Sequence, residues 1–361
     1  LATREGRIFG ALRKDADAIV ILNAVEPSID LSFFYATGIK SGLFEGCAAI
    51  VWKDGVEVAV SELEGTSARQ AGVRTTIFKS QKERDELMKK KLRGLARIGI
   101  NSEAVTHASY RLIRKWSSGS KLVDVSKAIA DARMIKDRQE IEAIKGAARI
   151  ASRTADEIPD LVGEGQRETE AAAEINYCMM KLGAAEPSFG TNASFGVATA
   201  EPHYVPGSKR LKRGQLALFD FGASYARYVS DVTRTYVCGR PSKRQKEMYE
   251  VVLEAQLAAI DAIEDGAKGK NVDAAARAVI DRSKFKGRFI HGTGHGLGLS
   301  VHDPGLMSPH RKLVLREGMV MTVEPGVYVK GFGGVRIEDD ILVTRKGCRV
   351  LTDAPKEFLS L

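Results

Sequence analysis

Residues 215–231, QLALFDFGASYARYVSD, restrict the possible folds more than any other stretch of the chain. Residues 215–221 read as a buried strand that carries Asp220 into apolar surroundings. Gly222 and Ala223 predict a turn, and a second strand is expected over residues 227–238 with Asp231 on it, the two forming a hairpin. An ionised carboxylate in an apolar sheet is costly unless it is paired or bound to a metal. Two side by side repel, and one would have to keep its proton. A divalent cation between them relieves both problems. The plainer alternative is two turn aspartates facing water, since Asp is an ordinary turn residue.

A chain of 361 residues has room for two domains, each with its own core. Its 44% hydrophobic and 28% charged residues are ordinary for a globular protein. No apolar run approaches the roughly 18–20 residues of a membrane span, so no membrane partner is expected. The first residues, LATREGR, show no apolar core with a small-residue cleavage site, and no secretory leader is expected. Cys47, Cys178, Cys238 and Cys348 are scattered without a C-x-x-C pair. Such usage fits a reducing cytoplasm and argues against a disulfide framework or zinc knuckle. The net charge of +9 leaves an RNA partner open. The basic clusters are short and lack interleaved aromatics, which favours a solvated face.

The first 125 residues or so alternate short strands and helices, with a hairpin at Lys53, Asp54 and Gly55. This pattern predicts an α/β domain. A helical tract over 126–157 is broken near Ile135 and Lys136, and the domain boundary is placed near residue 133, giving domains 1–132 and 133–361. Helices are expected over 168–182, 242–264 and 271–282. Strands are expected over 194–199, 215–221, 228–237, 320–323, 326–330 and 335–343. Helices set apart from a mostly antiparallel sheet make the second half α+β.

Further ligand types fall on that half. His295 sits in HGTGHGLG, where alternate glycines would let backbone pass close to a ligand. Glu324 ends a strand before Pro325 and Gly326. Glu338 follows Arg336 with the spacing of one sheet face. His203 shortly precedes the Asp220 strand. Each is weak alone: a glutamate before Pro-Gly is an ordinary strand end, and a histidine among glycines an ordinary turn residue. Together Asp220, Asp231, His295, Glu324 and Glu338 supply four carboxylates and an imidazole, a charge matched to two divalent cations. Mixed nitrogen and oxygen donors suit Mn, Co, Zn or Fe better than Ca.

The order of these residues, in LFDFG (218–222), SDVTRT (230–235), HGTGHGLGL (291–299), VEPGV (323–327) and VRIED (335–339), resembles the pita-bread metallopeptidases, the prolidase and aminopeptidase P group. The resemblance covers nearly the whole chain. It implies a creatinase-like N-terminal domain and a C-terminal pita-bread domain with a curved, mostly antiparallel sheet. It further implies hydrolysis of an Xaa-Pro bond by a hydroxide shared between two metal ions, with Mn or Co foremost and Zn or Fe as alternatives. Asp220 would chelate one metal, His295 and Glu324 the other, and Asp231 and Glu338 would bridge. Glu324 would also move the proton, and His203 and His302 would stabilise the tetrahedral intermediate. His291 would lie on the substrate side, and Arg336 would contact substrate or order Glu338. The substrate would be a proline-containing di- or oligopeptide, and the assembly a homodimer. A dipeptidase needs a cation for the substrate's terminal carboxylate. Residues 301–306 read VHDPGL, without the arginine common in prolidases, which leaves Arg311 or Lys312 for that task and keeps an aminopeptidase open. A metal-free creatinase-type hydrolase and a non-enzymatic binding protein are the remaining readings.

Overall fold

The computed structural model describes residues 3–361, and the chain divides into two compact units after Arg133. In the first, six strands form one mixed sheet. The hairpin Ala48–Trp52 and Gly55–Ser61 pairs antiparallel, as its turn residues predict, while Arg97–Ile100 and Lys121–Asp124 run parallel to each other. Ile21, Val51, Val60 and Ile98 are fully enclosed. Strands covered on both faces read as short apolar runs, which is how Ala18–Leu22 appears in the sequence.

The second unit opens with helix Arg138–Leu161, started by a reciprocal capping box between Asp137 and Glu140. With helix Glu168–Lys181 it packs a core of Ile158, Ile175, Phe195, Phe219 and Tyr236. This core covers a sheet of Asn192–Phe195, Leu216–Phe221 and Val232–Val237. Helices Lys243–Asp261 and Gly269–Arg282 enclose a second core with Met321, Val323, Val335 and Ile341. That core lies on a five-stranded sheet including Gly294–Gly296, Val320–Val323 and Asp339–Val343. The strand pairings of this unit are antiparallel, apart from an isolated parallel bridge between Val237 and Ser360. Among the described residues no helix is long and apolar enough to cross a membrane.

Several expected elements are shorter or broken. Residues 196–200, expected to continue a strand, close into a 3₁₀ turn. The expected strand over 227–238 is two pieces. Ala223–Tyr225 and Tyr228–Val229 form a small hairpin turning at Ala226 and Arg227, both at positive φ, and pairing resumes only at Val232. Gly222 is therefore not the turn. A Cβ there would lie 1.8 Å from the Ser230 carbonyl oxygen, so the glycine is required by a strand crossing close behind it. The expected strand 335–343 likewise breaks at Ile337 and Glu338.

Candidate metal centre

Those two breaks locate the site. Asp231 stands in the gap before Val232–Val237, and Glu338 in the gap between Gly333–Arg336 and Asp339–Val343. Their backbones are held by groups from across the gap. The Asp231 N–H donates to Asp340 Oδ2 at 3.0 Å, and the Glu338 N–H to the Thr233 carbonyl at 3.1 Å. A side chain released from the ladder in this way leaves the pleat and points where the next element directs it. Asp220 stays within its strand, paired in register with Asn192 on one side and Thr233 on the other.

His295 comes from the short strand Gly294–Gly296, where the register shifts after His295. The glycines flanking it were expected to let backbone approach a ligand, but they serve strand packing instead. A Cβ at Gly294 would fall 1.9 Å from the Thr322 carbonyl oxygen, and one at Gly296 2.1 Å from that of Pro304. His295 Nδ1 lies 3.1 Å from the Gly296 carbonyl oxygen. If Nδ1 carries the proton and donates there, Nε2 is left as a ligand atom. That nitrogen is 3.6 Å from Asp231 Oδ2 and 3.5 Å from Glu324 Oε1.

All nine residues singled out from the sequence line one cavity of about 870 Å³: Asp220, Asp231, His295, Glu324, Glu338, His203, His291, His302 and Arg336. Ligand atoms of Asp231, His295 and Glu338 lie within 4.8 Å of one another. Asp220 and Glu324 line the same cavity outside that tightest group. His302 packs its ring 4.5 Å from that of His295, while His203 is on an exposed loop at the mouth.

Burial, then repulsion from Glu338, Asp220 and Asp340, pushes the Asp231 carboxyl well above the ordinary range. Burial, then Glu324 and Asp220, does the same to Glu338, and Glu324 is also raised, chiefly by burial. Burial lowers His295 and His302, keeping both imidazoles neutral near pH 7. The buried oxygens Asp220 Oδ1, Asp231 Oδ1 and Glu338 Oε1 find no hydrogen-bond partner among the described residues. Buried acceptors are rarely left so. Crowded carboxylates, unpartnered oxygens and one neutral imidazole are the donor set that divalent transition metals take, so the residues present fit a metal centre.

Two residues of the cavity wall are engaged by partners within the chain. Arg336, expected to contact substrate or order Glu338, lines the cavity and binds Asp220 Oδ2 through Nη2 at 2.6 Å. Its Nε donates to Thr233 Oγ1, and it is Thr233 that donates to Glu338 Oε2, at 2.6 Å. His291, expected on the substrate side, lines the cavity, and both ring nitrogens have partners within the chain. Nδ1 lies 2.8 Å from the Gly292 carbonyl oxygen and Nε2 2.8 Å from Tyr328 Oη, which also accepts from Arg336 Nη1. Arg311 and Lys312 are exposed and are not among the residues lining the cavity.

The supporting residues Thr233, Tyr328 and Asp340 escaped the sequence reading. Thr233 and Asp340 stand within or beside motifs that were singled out, but partnership across more than a hundred residues leaves no local periodicity. The same applies to Arg234, which binds the Glu338 carbonyl and the wholly buried Asp339 carboxylate. Arg234 and Lys356 hold Asp339 below the usual range despite its burial.

A sheet that keeps this much carboxylate from water beside neutral imidazoles is built for divalent cations, which places the chain among metal-dependent enzymes. It belongs to metallopeptidase family M24, whose model matches residues 142–345, and residues 12–135 match the creatinase/prolidase N-terminal domain. The chain is 38% identical over 344 residues to an Xaa-Pro dipeptidase of Pyrococcus furiosus, covering 92% of this chain and 96% of that one. Among solved structures it is similar to an Xaa-Pro dipeptidase from Bacillus anthracis, with TM-score 0.90, 32% identity and 99% of both chains covered. It is also similar to an X-Pro aminopeptidase from Thermotoga maritima, with TM-score 0.92, 31% identity, and coverage of 99% of this chain and 100% of that one. The pita-bread architecture and the prolidase and aminopeptidase P grouping expected from the motifs are thereby established.

Proposed function

We propose that the protein hydrolyses the peptide bond before proline, as an Xaa-Pro dipeptidase of the prolidase type, with two divalent metal ions. The observation that carries this reading is the convergence of Asp220, Asp231, His295, Glu324 and Glu338 on one cavity with three carboxylate oxygens unpartnered. In this reading Asp220, with Arg336 on Oδ2 and Oδ1 unpartnered, would help to hold the metal. His295, Glu324, Asp231 and Glu338 would complete the set of residues that hold the metal. Mn or Co is the expected metal, with Zn or Fe as alternatives. When bound, such ions would supply an acidified water and a polarised scissile carbonyl.

The remaining chemistry belongs to the chain. Glu324, in the same cavity, would take a proton from that water and pass it to the proline nitrogen, which must be protonated to leave. His302, kept neutral, can donate an N–H to the carbonyl oxygen as charge develops, with His203 assisting from the mouth. His291 and Arg336, joined through Tyr328, hold Asp220 in place.

The two domains are assigned to residues 1–132 and 133–361, supported by the contact boundary after Arg133. The protein is assigned to the cytoplasm as a homodimer acting on proline-containing peptides, without a nucleic-acid partner. Chelator-stripped protein reloaded with Mn or Co should cleave an Xaa-Pro dipeptide. Metal-dependent cleavage of Xaa-Pro-Xaa tripeptides alone would replace the dipeptidase with an aminopeptidase, a reading kept in view because Arg311 and Lys312 do not line the cavity. Cleavage of neither would end the peptidase reading.

A further inference from the structure

We propose that Asn192 binds the substrate's free α-ammonium group; this rests on the Xaa-Pro peptidase reading and gives it a residue that demands an unblocked N-terminus. Asn192 lines the cavity, and only 5% of its surface is exposed. It is the direct cross-strand neighbour of Asp220, so both side chains leave the same sheet face. Its Nδ2 donates to the Pro202 carbonyl oxygen at 3.3 Å. Turning the amide over would set two acceptors against each other, which fixes the orientation. The Asn192 Oδ1 that results is buried and has no partner among the described residues.

The chemistry of the substrate identifies the missing donor. In an Xaa-Pro dipeptide the scissile nitrogen is tertiary and carries no hydrogen, and the terminal carboxylate only accepts. The backbone therefore offers one donor group, the N-terminal ammonium. A buried amide oxygen without a donor, on the sheet face that carries the proposed metal ligand Asp220, is a suitable seat for it. Hydrogen bonds to charged groups are also stronger than neutral ones. Asn192 thus selects substrates by their free amine.

The test compares Asn192→Leu with the wild type, both loaded with Mn. Inhibition constants are measured for two non-cleaved prolyl ligands that differ only in the α-amino group, one with the amine and one with hydrogen in its place. The expected result is that the amine-bearing ligand weakens roughly tenfold or more, while the des-amino ligand is unchanged. Asn192→Asp, which keeps an acceptor in place, should restore the preference for the amine. Equal weakening of both ligands, or of neither, would overturn the assignment. So would loss of bound Mn from Asn192→Leu, which would make Asn192 a metal ligand. If Asn192→Leu does not fold, Asn192→Ser is read by the same ratio. Wild-type cleavage of Leu-Pro is measured first: its absence would count against the peptidase reading itself, whereas cleavage with an unchanged ligand ratio would count against Asn192 alone.

Discussion

Asp231 is held at the backbone by Asp340, while its own carboxylate has one oxygen near His295 and the other unpartnered. The side chain is therefore costly in the bare fold and useful only with a cation. Asp231→Asn keeps the shape and removes the charge. Loss of an outer partner of a metal ligand already costs about 10–100-fold, so loss of the ligand itself should lower kcat/KM by at least about a hundredfold. Bound metal, measured by elemental analysis, should fall with it. Unchanged turnover would remove Asp231 from the centre. His302 makes a contrasting case, with a neutral ring against His295. His302→Ala should lower kcat by about 10²–10³, the usual cost of one donor to a developing oxyanion, and leave metal content intact. A variant that loses metal instead would make His302 a ligand.

At the level of elements, the glycines around the ligands are a packing requirement. Gly294→Ala would drive a methyl against the Thr322 carbonyl, where backbone cannot step aside. Overpacking of this kind costs about 1–3 kcal/mol or more, and it would fall on the strand that presents His295. Thermal melts should show Gly294→Ala clearly destabilised and Gly163→Ala, with open space around its Cβ, close to wild type. Equal midpoints would refute the packing account. Strand positions such as Leu216–Phe221 and the hairpin 48–61 were legible because their patterns are local: apolar runs and a turn dipeptide. The breaks at Asp231 and Glu338 were not legible. They arise from pairing of each gap with the other, through Asp340 and Thr233, and that information is spread over some hundred residues of sequence. The proposed ligand residues stood out by their types and order, and their gathering on one cavity only through the fold.

Over the whole molecule, the buried acids and imidazoles make stability depend on pH and metal together. Asp231 and Glu338 hold protons more tightly in the fold than in the unfolded chain, because burial and mutual repulsion oppose their ionisation. The metal-free fold then binds more protons than the unfolded chain, so stability falls as pH rises from about 4, the ordinary carboxylate value, through the raised folded values. His295 has the opposite sign. Its lowered value makes the unfolded chain the better proton binder, and stability falls as pH drops through about 6.5. Asp231→Asn separates the two, since it removes one raised carboxylate and relieves its neighbours while leaving His295. Each tenfold difference in proton affinity between folded and unfolded chains is worth about 1.4 kcal/mol. Stripped wild type should therefore lose stability relative to stripped Asp231→Asn on going from pH 5 to pH 8. With Mn present the order should reverse, because deprotonated carboxylates are what the metal binds and its affinity grows with pH. Denaturant melts of both proteins, with and without Mn across that range, measure the difference directly. Parallel curves for the stripped pair, or a wild type that gains on the variant as pH rises, would show that the acids of this cavity are not the strained, proton-holding cluster described by the fold.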